Sequence, residues 1–201
     1  MTQTHSNGRV ATLERMTRET QIRATLNLDG DGSFTGATGI GFFDHMLTAL
    51  ARHGGLSIVL EARGDLEVEC HHLVEDVGIV LGQLTAQALG DKRGIQRYGH
   101  ACVPMEEALC EATLDFCGRS YLYFSADFQR PMIENYATEV TEDFFRAFCN
   151  SAALTMHLEC RRGRNAHHIV EGLFKAFARG LRVAVSADPR MTGIPSTKGT
   201  L

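Results

Sequence analysis

The chain has 201 residues, of which 44% are hydrophobic and 22% charged, a composition typical of a globular protein with its own core. The formal net charge of −4 argues against nucleic acid as a partner, and no apolar run reaches the ~20 residues that a membrane-spanning helix needs. The N-terminus lacks a signal-peptide pattern and the 6 cysteines form no Cys-x-x-Cys pair, so we expect free thiols in the cytoplasm. Residues 1–8 and 191–201 are expected to be mobile tails.

The first half of the chain contains both strand and helix patterns. Strands are predicted at Ile22–Leu28, Leu56–Ala62 and Leu66–Cys70. Apolar residues at helical spacing predict a helix over Phe43–Arg52 and a second helix that begins near His71 and includes Leu84. The segment Asp29–Gly32 has the turn chemistry of a β-hairpin.

The second half repeats this plan. Strands are predicted at Ala108–Phe116, Tyr121–Phe128 and Thr155–Cys160, and helices at Thr141–Leu154 and Ala166–Ala184. Because strands and helices mix without regular βαβ alternation, the pattern favours an α+β fold over a doubly wound sheet.

Two pairs of segments show that the chain repeats itself. Glu19–Gly30 matches Glu107–Gly118, and His71–Glu75 matches His167–Glu171, in the same order. Two collinear matches predict an internal duplication, with a seam near Asp91–Tyr98.

Four of the 9 histidines form the two repeated His-His-x-x-Glu pairs. On a helix, adjacent residues diverge by about 100°, so two consecutive histidines serve two ions more easily than one. The repetition therefore predicts two related metal sites, and imidazole with carboxylate points to Mn, Fe or Zn. Aligned by the duplication, Asp143 occupies the position equivalent to His45, and both residue types bind divalent ions.

Five segments carry a resemblance to a known family: FFDHML at 42–47, HHLVEDVG at 71–78, PMEEA at 104–108, GRNAHHIVEGLFKAFARGLR at 163–182 and PSTKG at 195–199. In this order they resemble the imidazoleglycerol-phosphate dehydratases, lyases of histidine biosynthesis, over about residues 9–201. The resemblance implies a duplicated α+β fold with helices packed between two four-stranded mixed sheets. It also implies half-domains at 9–95 and 96–190 and a substrate-closing tail at 191–201.

The resemblance further implies two Mn(II) ions per active site, with Zn or Fe as substitutes, at subunit interfaces of a 24-subunit homo-oligomer. The implied metal ligands are His45, His71, His72, Glu75, Asp143, His167, His168 and Glu171. Asp143 departs from the His or Glu that relatives often have there, and Glu106 replaces the family's usual Asp.

The implied reaction is the dehydration of D-erythro-imidazole glycerol phosphate to imidazole acetol phosphate. The lost proton lies on a carbon with no adjacent carbonyl, so the ring must relay electrons through a di-metal-bound imidazolate and a diazafulvene-like intermediate. The resemblance assigns catalytic roles to Glu19, Glu75 and Glu171, with Glu19 as the base. The implied substrate-binding residues are Glu19, His71, Arg97, Arg119, His167, Lys175, Ser196, Thr197 and Lys198.

Two other functions remain open from the residues themselves. The ligand types also allow a di-metal hydrolase, although no His-Glu-x-x-His signature is present. The His pairs could instead serve as structural sites in a non-catalytic shell or binding protein.

Overall fold

The computed structural model describes residues 8–201, so the part of the predicted N-terminal tail at 1–7 lies outside the described residues. Its first sheet contains four strands: β1 (Val10–Met16), β2 (Thr20–Asn27), β3 (Phe34–Ala37) and β4 (Ser57–Gly64). Their order is β1-β2-β4-β3, with β2 antiparallel to both neighbours and β3 parallel to β4. Alternate residues of β2, including Ile22 and Leu26, are buried, which gives the sheet one apolar face.

The second sheet repeats this arrangement. It contains β5 (Tyr98–Met105), β6 (Ala108–Asp115), β7 (Tyr121–Ser125) and β10 (Thr155–Arg162), in the order β5-β6-β10-β7. Again the outer strand β7 is parallel to its neighbour β10, while the other pairs are antiparallel. The shared strand order and directions are those of an internally duplicated α+β fold.

The helices lie between the two sheets in two pairs. The four helices of residues 8–201 are α1 (Gly41–Gly54), α2 (His71–Leu89), α3 (Val140–Ala152) and α4 (Ala166–Val185). α2 packs on α3 and α1 on α4, so each pair combines one helix from each half. α2 and α3 approach so closely at Gly78 that a Cβ atom there would lie only 2.6 Å from the carbonyl oxygen of Phe144. The predicted helices are confirmed, with small differences at their ends: α1 and α2 are longer than predicted, whereas α3 ends two residues before the predicted Leu154.

Two local predictions are wrong. The turn at Asp29–Gly32 does not form a hairpin, because β2 and β3 both pair with β4 and not with each other. The Asp31 carboxylate accepts hydrogen bonds from the Ser33 backbone and the Ser57 hydroxyl, which ties the turn to the start of β4. The predicted strand Leu66–Cys70 is a turn that leads into α2. Its alternating apolar residues mislead, since Val68 is 66% exposed.

The two halves differ by one insertion, which lies in the second half. β3 ends at Ala37 and α1 begins at Gly41, whereas β7 ends at Ser125 and α3 begins only at Val140. The longer link carries a small hairpin, β8 (Met132–Ile133) and β9 (Tyr136–Ala137). Residues 191–201 contain neither helix nor strand, and no helix in residues 8–201 is long and apolar enough to span a membrane.

Candidate active site and metal centre

The two His-His-x-x-Glu motifs occupy equivalent places, at the first turns of α2 and α4. Asn165 caps α4, because its side-chain oxygen accepts a hydrogen bond of 3.0 Å from the backbone N–H of His167. The rings of His167 and His168 are 6.1 Å apart between centroids and nearly perpendicular, at 81°. The adjacent histidines therefore point to different sides of the helix, as the sequence predicted.

Three side chains converge between α1 and α4. Nε2 of His167 lies 3.1 Å from Oε2 of Glu171, and Nε2 of His45 lies 3.5 Å from the same oxygen. The three ligand atoms of this set, the His45 cluster (His45, His167 and Glu171), are all within 4.8 Å of one another, so one cation could contact them together. Imidazole nitrogen and carboxylate oxygen suit Mn, Fe or Zn. The donor set therefore fits the expected divalent ion.

Glu171 has the most buried side chain of this cluster, at 8% exposed. Oε1 of Glu171 lies 2.7 Å from Nζ of Lys175, which is one turn further along α4. Burial raises the pKa of the Glu171 carboxyl, but the hydrogen bond and charge of Lys175, with His45, outweigh it and leave the pKa below its usual value. The carboxylate is therefore held in the ionised form that binds a cation.

The equivalent cluster in the other half is looser. Nδ1 of His71 lies 4.0 Å from Oδ2 of Asp143, and Glu75 is half-buried on the next turn of α2. Asp143 thus faces the α2 motif as His45 faces the α4 motif, at the position that the duplication predicts. Unlike His45, His167 and Glu171, these three side chains do not bring one ligand atom each within 4.8 Å of one another among the described residues.

The second histidine of each pair contacts a carboxylate on a sheet-side loop. Nδ1 of His72 lies 3.0 Å from Oδ2 of Asp65, and Nδ1 of His168 lies 2.7 Å from Oε2 of Glu107. A carboxylate at Nδ1 fixes the ring and leaves Nε2 for a metal. The bond to Asp65 raises the pKa of His72, and the bond to His168 lowers that of Glu107 to about 2.

Sequence reasoning missed both orienting carboxylates. Glu107 belongs to the repeat, since it is the counterpart of Glu19, and that match was the available signal. Glu106, Glu107 and His168 also place one ligand atom each within 4.8 Å of one another. Asp65 gave no signal, because it lies in a turn seven residues before His72 and has no repeated partner.

Glu19 lies in the loop between β1 and β2, on the His72 side of the molecule. Its side chain is exposed, and its negative charge contributes to the raised pKa of His72. Its backbone is held on both sides: the N–H donates to Oγ1 of Thr17 at 3.1 Å, and the carbonyl accepts from the N–H of Asp65 at 3.1 Å. Glu19 is thus a carboxylate on a fixed backbone, beside one His pair and on a different element from the His45 cluster.

The expected phosphate-binding residues fall into two groups. Lys175 lies on α4 beside His53, whose pKa is lowered first by burial and then by the positive charges of Lys175, Arg179 and Arg52. This basic group adjoins the His45 cluster through the Lys175–Glu171 ion pair. Of these three cations, only Lys175 was singled out from the sequence.

The other group belongs to the tail and to the segments just before β5 and between β6 and β7. Arg97 makes a two-point ion pair with Asp115 at 2.7 and 3.1 Å, and its Nη1 donates to the carbonyl oxygen of Pro195 at 2.8 Å. Arg97 therefore holds the tail in place. The remaining expected residues lie on exposed or half-exposed irregular segments: Arg119, Ser196, Thr197 and Lys198.

A cleft of about 560 Å³ opens beside the His45 cluster. Its lining includes His45, His167 and, from the β8–β9 insertion, Ile133 and Asn135. The amide of Asn135 donates a hydrogen bond of 3.0 Å to the carbonyl oxygen of Gly39, which ties the insertion to the start of α1. The cleft gives a small molecule direct access to the candidate ligands.

Known proteins similar to this chain belong to one family. The family profile described as imidazoleglycerol-phosphate dehydratase matches residues 38–181. The chain belongs to this family. An imidazoleglycerol-phosphate dehydratase from Gluconobacter oxydans is 58% identical over 197 residues, covering 98% of this chain and 100% of the relative. One from Gluconacetobacter diazotrophicus is 57% identical over 195 residues, covering 96% and 98%.

Solved structures of imidazoleglycerol-phosphate dehydratases share the fold. The Staphylococcus aureus enzyme aligns with a TM-score of 0.81 at 39% identity, covering 89% of this chain and 99% of its own. The Pyrococcus furiosus enzyme also gives 0.81, at 32% identity, covering 94% and 100%. The chain is accordingly a hydro-lyase of histidine biosynthesis, and its family acts on a small phosphorylated imidazole.

Proposed function

We propose that the chain uses Mn(II), two ions per active site, to dehydrate D-erythro-imidazole glycerol phosphate to imidazole acetol phosphate. The observation that carries this proposal is the convergence of His45, His167 and Glu171 within 4.8 Å beside an open cleft. The same donor set accepts Zn or Fe as substitutes. Family membership supplies the reaction, and the convergent ligands supply the reason for a metal.

The proposed ligands are the eight side chains at the two helix starts and the helices that face them: His45, His71, His72, Glu75, Asp143, His167, His168 and Glu171. A bound divalent ion would supply Lewis acidity, which lowers the pKa of a coordinated imidazole ring. Asp65 and Glu107 hold His72 and His168 by Nδ1 and keep the Nε2 atoms available.

Glu19 is the proposed base in this reaction. After loss of its N–H proton, the substrate's imidazole ring would carry the electrons that expel the side-chain hydroxyl, which leaves with a proton as water and gives a diazafulvene-like intermediate. Glu19 then removes the proton from the carbon chain while a ring nitrogen regains a proton, and the resulting enol becomes the ketone. An exposed carboxylate on a fixed backbone suits this role, because it reaches substrate while its position stays defined.

The proposed phosphate contacts are cationic and hydroxyl groups: Arg97, Arg119, Lys175, Ser196, Thr197 and Lys198. Lys175 and its basic neighbours around His53 support an anion-binding end of the site on α4. His71 and His167, as first histidines of the pairs, would contact the ring of the substrate. Residues 191–201, held by Arg97 at Pro195, would close over the phosphate.

A homo-oligomer of 24 subunits in the cytoplasm completes the proposal, with active sites between subunits. Support comes from the direction of the ligands within one chain. The ring of His167 faces Glu171 within the His45 cluster, whereas the ring of His168 faces Glu107 on the sheet side. One chain therefore provides two separate half-sites, and a neighbouring copy would supply the missing ligands of each.

The deciding experiment is a turnover assay with imidazole glycerol phosphate on protein stripped of metal and then reloaded. We expect dehydration only after addition of Mn(II), together with growth of the particle in light scattering, since metal between subunits stabilises the assembly. His45→Asn should reduce metal content and turnover, whereas the matched exposed variant His100→Asn should leave both unchanged.

Three results would contradict the proposal in different ways. Full turnover without metal would remove the metal from the reaction. Hydrolysis of the phosphate ester without dehydration would favour a di-metal hydrolase. A metal-loaded particle with no turnover would favour a structural shell.

A further inference from the structure

A buried polar group lies beneath the loop that carries Glu19. The carboxylate of Asp76, on α2, is only 7% exposed as a residue and is surrounded by apolar core. Its Oδ1 lies 2.9 Å from Nη2 of Arg15, and its Oδ2 accepts a hydrogen bond from the hydroxyl of Thr20. The Nε of Arg15 is buried without a hydrogen-bond partner among the described residues, so this ion pair carries a desolvation cost.

This group connects the metal-binding helix to the Glu19 loop. Asp76 lies one helical turn after His72, so both side chains project from the same face of α2. Thr20 is the residue directly after Glu19 and begins β2. The Glu19–Thr20 peptide is therefore held at one end by the N–H of Asp65 and at the other by the carboxylate of Asp76. Both anchoring residues are also connected to His72: the Asp65 carboxylate contacts the His72 ring, and Asp76 lies on the same helix, α2.

The other half of the molecule shows that the fold does not need this group. Arg15 pairs with Ile22 across β1 and β2, and Val103 pairs with Cys110 across β5 and β6. Because the repeat aligns Ile22 with Cys110 and Thr20 with Ala108, Arg15 corresponds to Val103 and Thr20 to Ala108. The repeated motif equates Asp76 with Gly172. The same three positions are thus filled by Val103, Gly172 and Ala108, none of which has a polar side chain. Because the equivalent half folds without such a buried ion pair, its presence here indicates a role specific to the first half.

We propose that Asp76 is a positioning residue, which fixes Thr20 and so holds Glu19 at a set place beside His72. This inference rests on the proposed role of Glu19 as the base. Asp76 itself does not touch substrate. A displacement of about 1 Å at a catalytic group costs up to about 100-fold in rate, so a rigid anchor beneath an exposed loop has a direct effect on turnover.

The test uses a matched pair of substitutions in the metal-loaded, assembled enzyme. Thr20→Val removes the hydroxyl with nearly the same shape, and Thr20→Ser keeps the hydroxyl. We expect Thr20→Val to lower kcat about 10- to 100-fold with KM and metal content within twofold of wild type. Thr20→Ser should stay within about threefold of wild type in kcat. Asp76→Asn should resemble Thr20→Val, and Thr25→Val on the same strand is the control for loss of an exposed Thr–Thr hydrogen bond.

A double-mutant cycle with Glu19→Gln separates positioning from general destabilisation. If Asp76 and Thr20 act through Glu19, Thr20→Val should cause no further loss of kcat in the Glu19→Gln background. Losses that multiply would show a structural role and overturn the proposal, as would wild-type kcat in Thr20→Val while Glu19→Gln is impaired. Wild-type kcat in Glu19→Gln would instead overturn the proposed base, and the positioning role with it.

Discussion

The two halves of the chain share a strand order and a His-His-x-x-Glu motif, but they differ around each motif. In the second half, Glu171 is paired with Lys175 at 2.7 Å. In the first half, the repeat places Ile79 where Lys175 would be, so Glu75 has no such cation on the next turn. The comparison shows that the His-His-x-x-Glu motif is common to both halves, while the groups that surround it differ.

Glu19 and Glu107, the two carboxylates at the repeated position just before β2 and β6, also differ in their surroundings. Glu107 is tied down, because it accepts from His168 and from the backbone N–H groups of Arg164 and Asn165. Glu19 is exposed and bound only through its backbone. One copy therefore orients a histidine, and the other is free to meet a substrate. The polar support beneath Glu19 occurs only in the half where the carboxylate is exposed.

The largest expected effect comes from neutralising these two carboxylates separately. Glu19→Gln should lower kcat about 10²- to 10⁴-fold with metal content unchanged, because it removes a general base and no ligand. Glu107→Gln should instead weaken metal binding about 10- to 100-fold, because Nδ1 of His168 loses its charged partner. Steady-state kinetics and metal titration of both variants measure the contrast.

Excess Mn(II) provides the control for this pair. It should restore much of the activity of Glu107→Gln and none of that of Glu19→Gln. If both variants responded to metal alike, the two repeated carboxylates would have the same role and the asymmetry would be wrong.

A smaller effect is expected from the matched substitutions Glu171→Gln and Glu75→Gln. Both remove a proposed ligand, but Glu171→Gln also leaves the largely buried Lys175 without its carboxylate. Losing a charged hydrogen-bond partner costs about 1–3 kcal/mol, so the metal-free Glu171 variant should unfold at lower urea than the Glu75 variant. Urea titrations of the metal-free proteins test this. Equal midpoints would show that Lys175 is satisfied by other groups.

The helices and ligand motifs were predictable because their signals are local. Apolar stripes marked all four helices, and the repeat aligned Asp143 with His45, so that each motif faces one residue of the preceding helix. The strands β1, β3 and β5 were not predicted, since they are edge strands with little continuous burial, and β5 also contains Pro104.

The missing parts of the site depend on contacts between distant segments. Asp65 reaches His72 only because its turn folds back on α2, and the Arg97–Asp115 pair joins residues 18 apart across a strand edge. The core positions of Asp76 and Thr20 show no pattern in sequence, because a buried carboxylate and hydroxyl become partners only in the folded sheet and helix. Such contacts are tertiary, and no periodicity encodes them.

The smallest effect is expected from the tail, which has no counterpart after the first half. Removing residues 195–201 deletes Ser196, Thr197 and Lys198 and frees Nη1 of Arg97 from the Pro195 carbonyl. Arg97, Arg119 and Lys175 would remain to bind phosphate, so we expect KM to rise roughly tenfold, which corresponds to the loss of the charge-assisted contact of Lys198. The shorter deletion of 199–201 retains the three polar residues and should leave KM near wild type. Equal KM values for both truncations and the full chain would show that substrate binding does not use the tail.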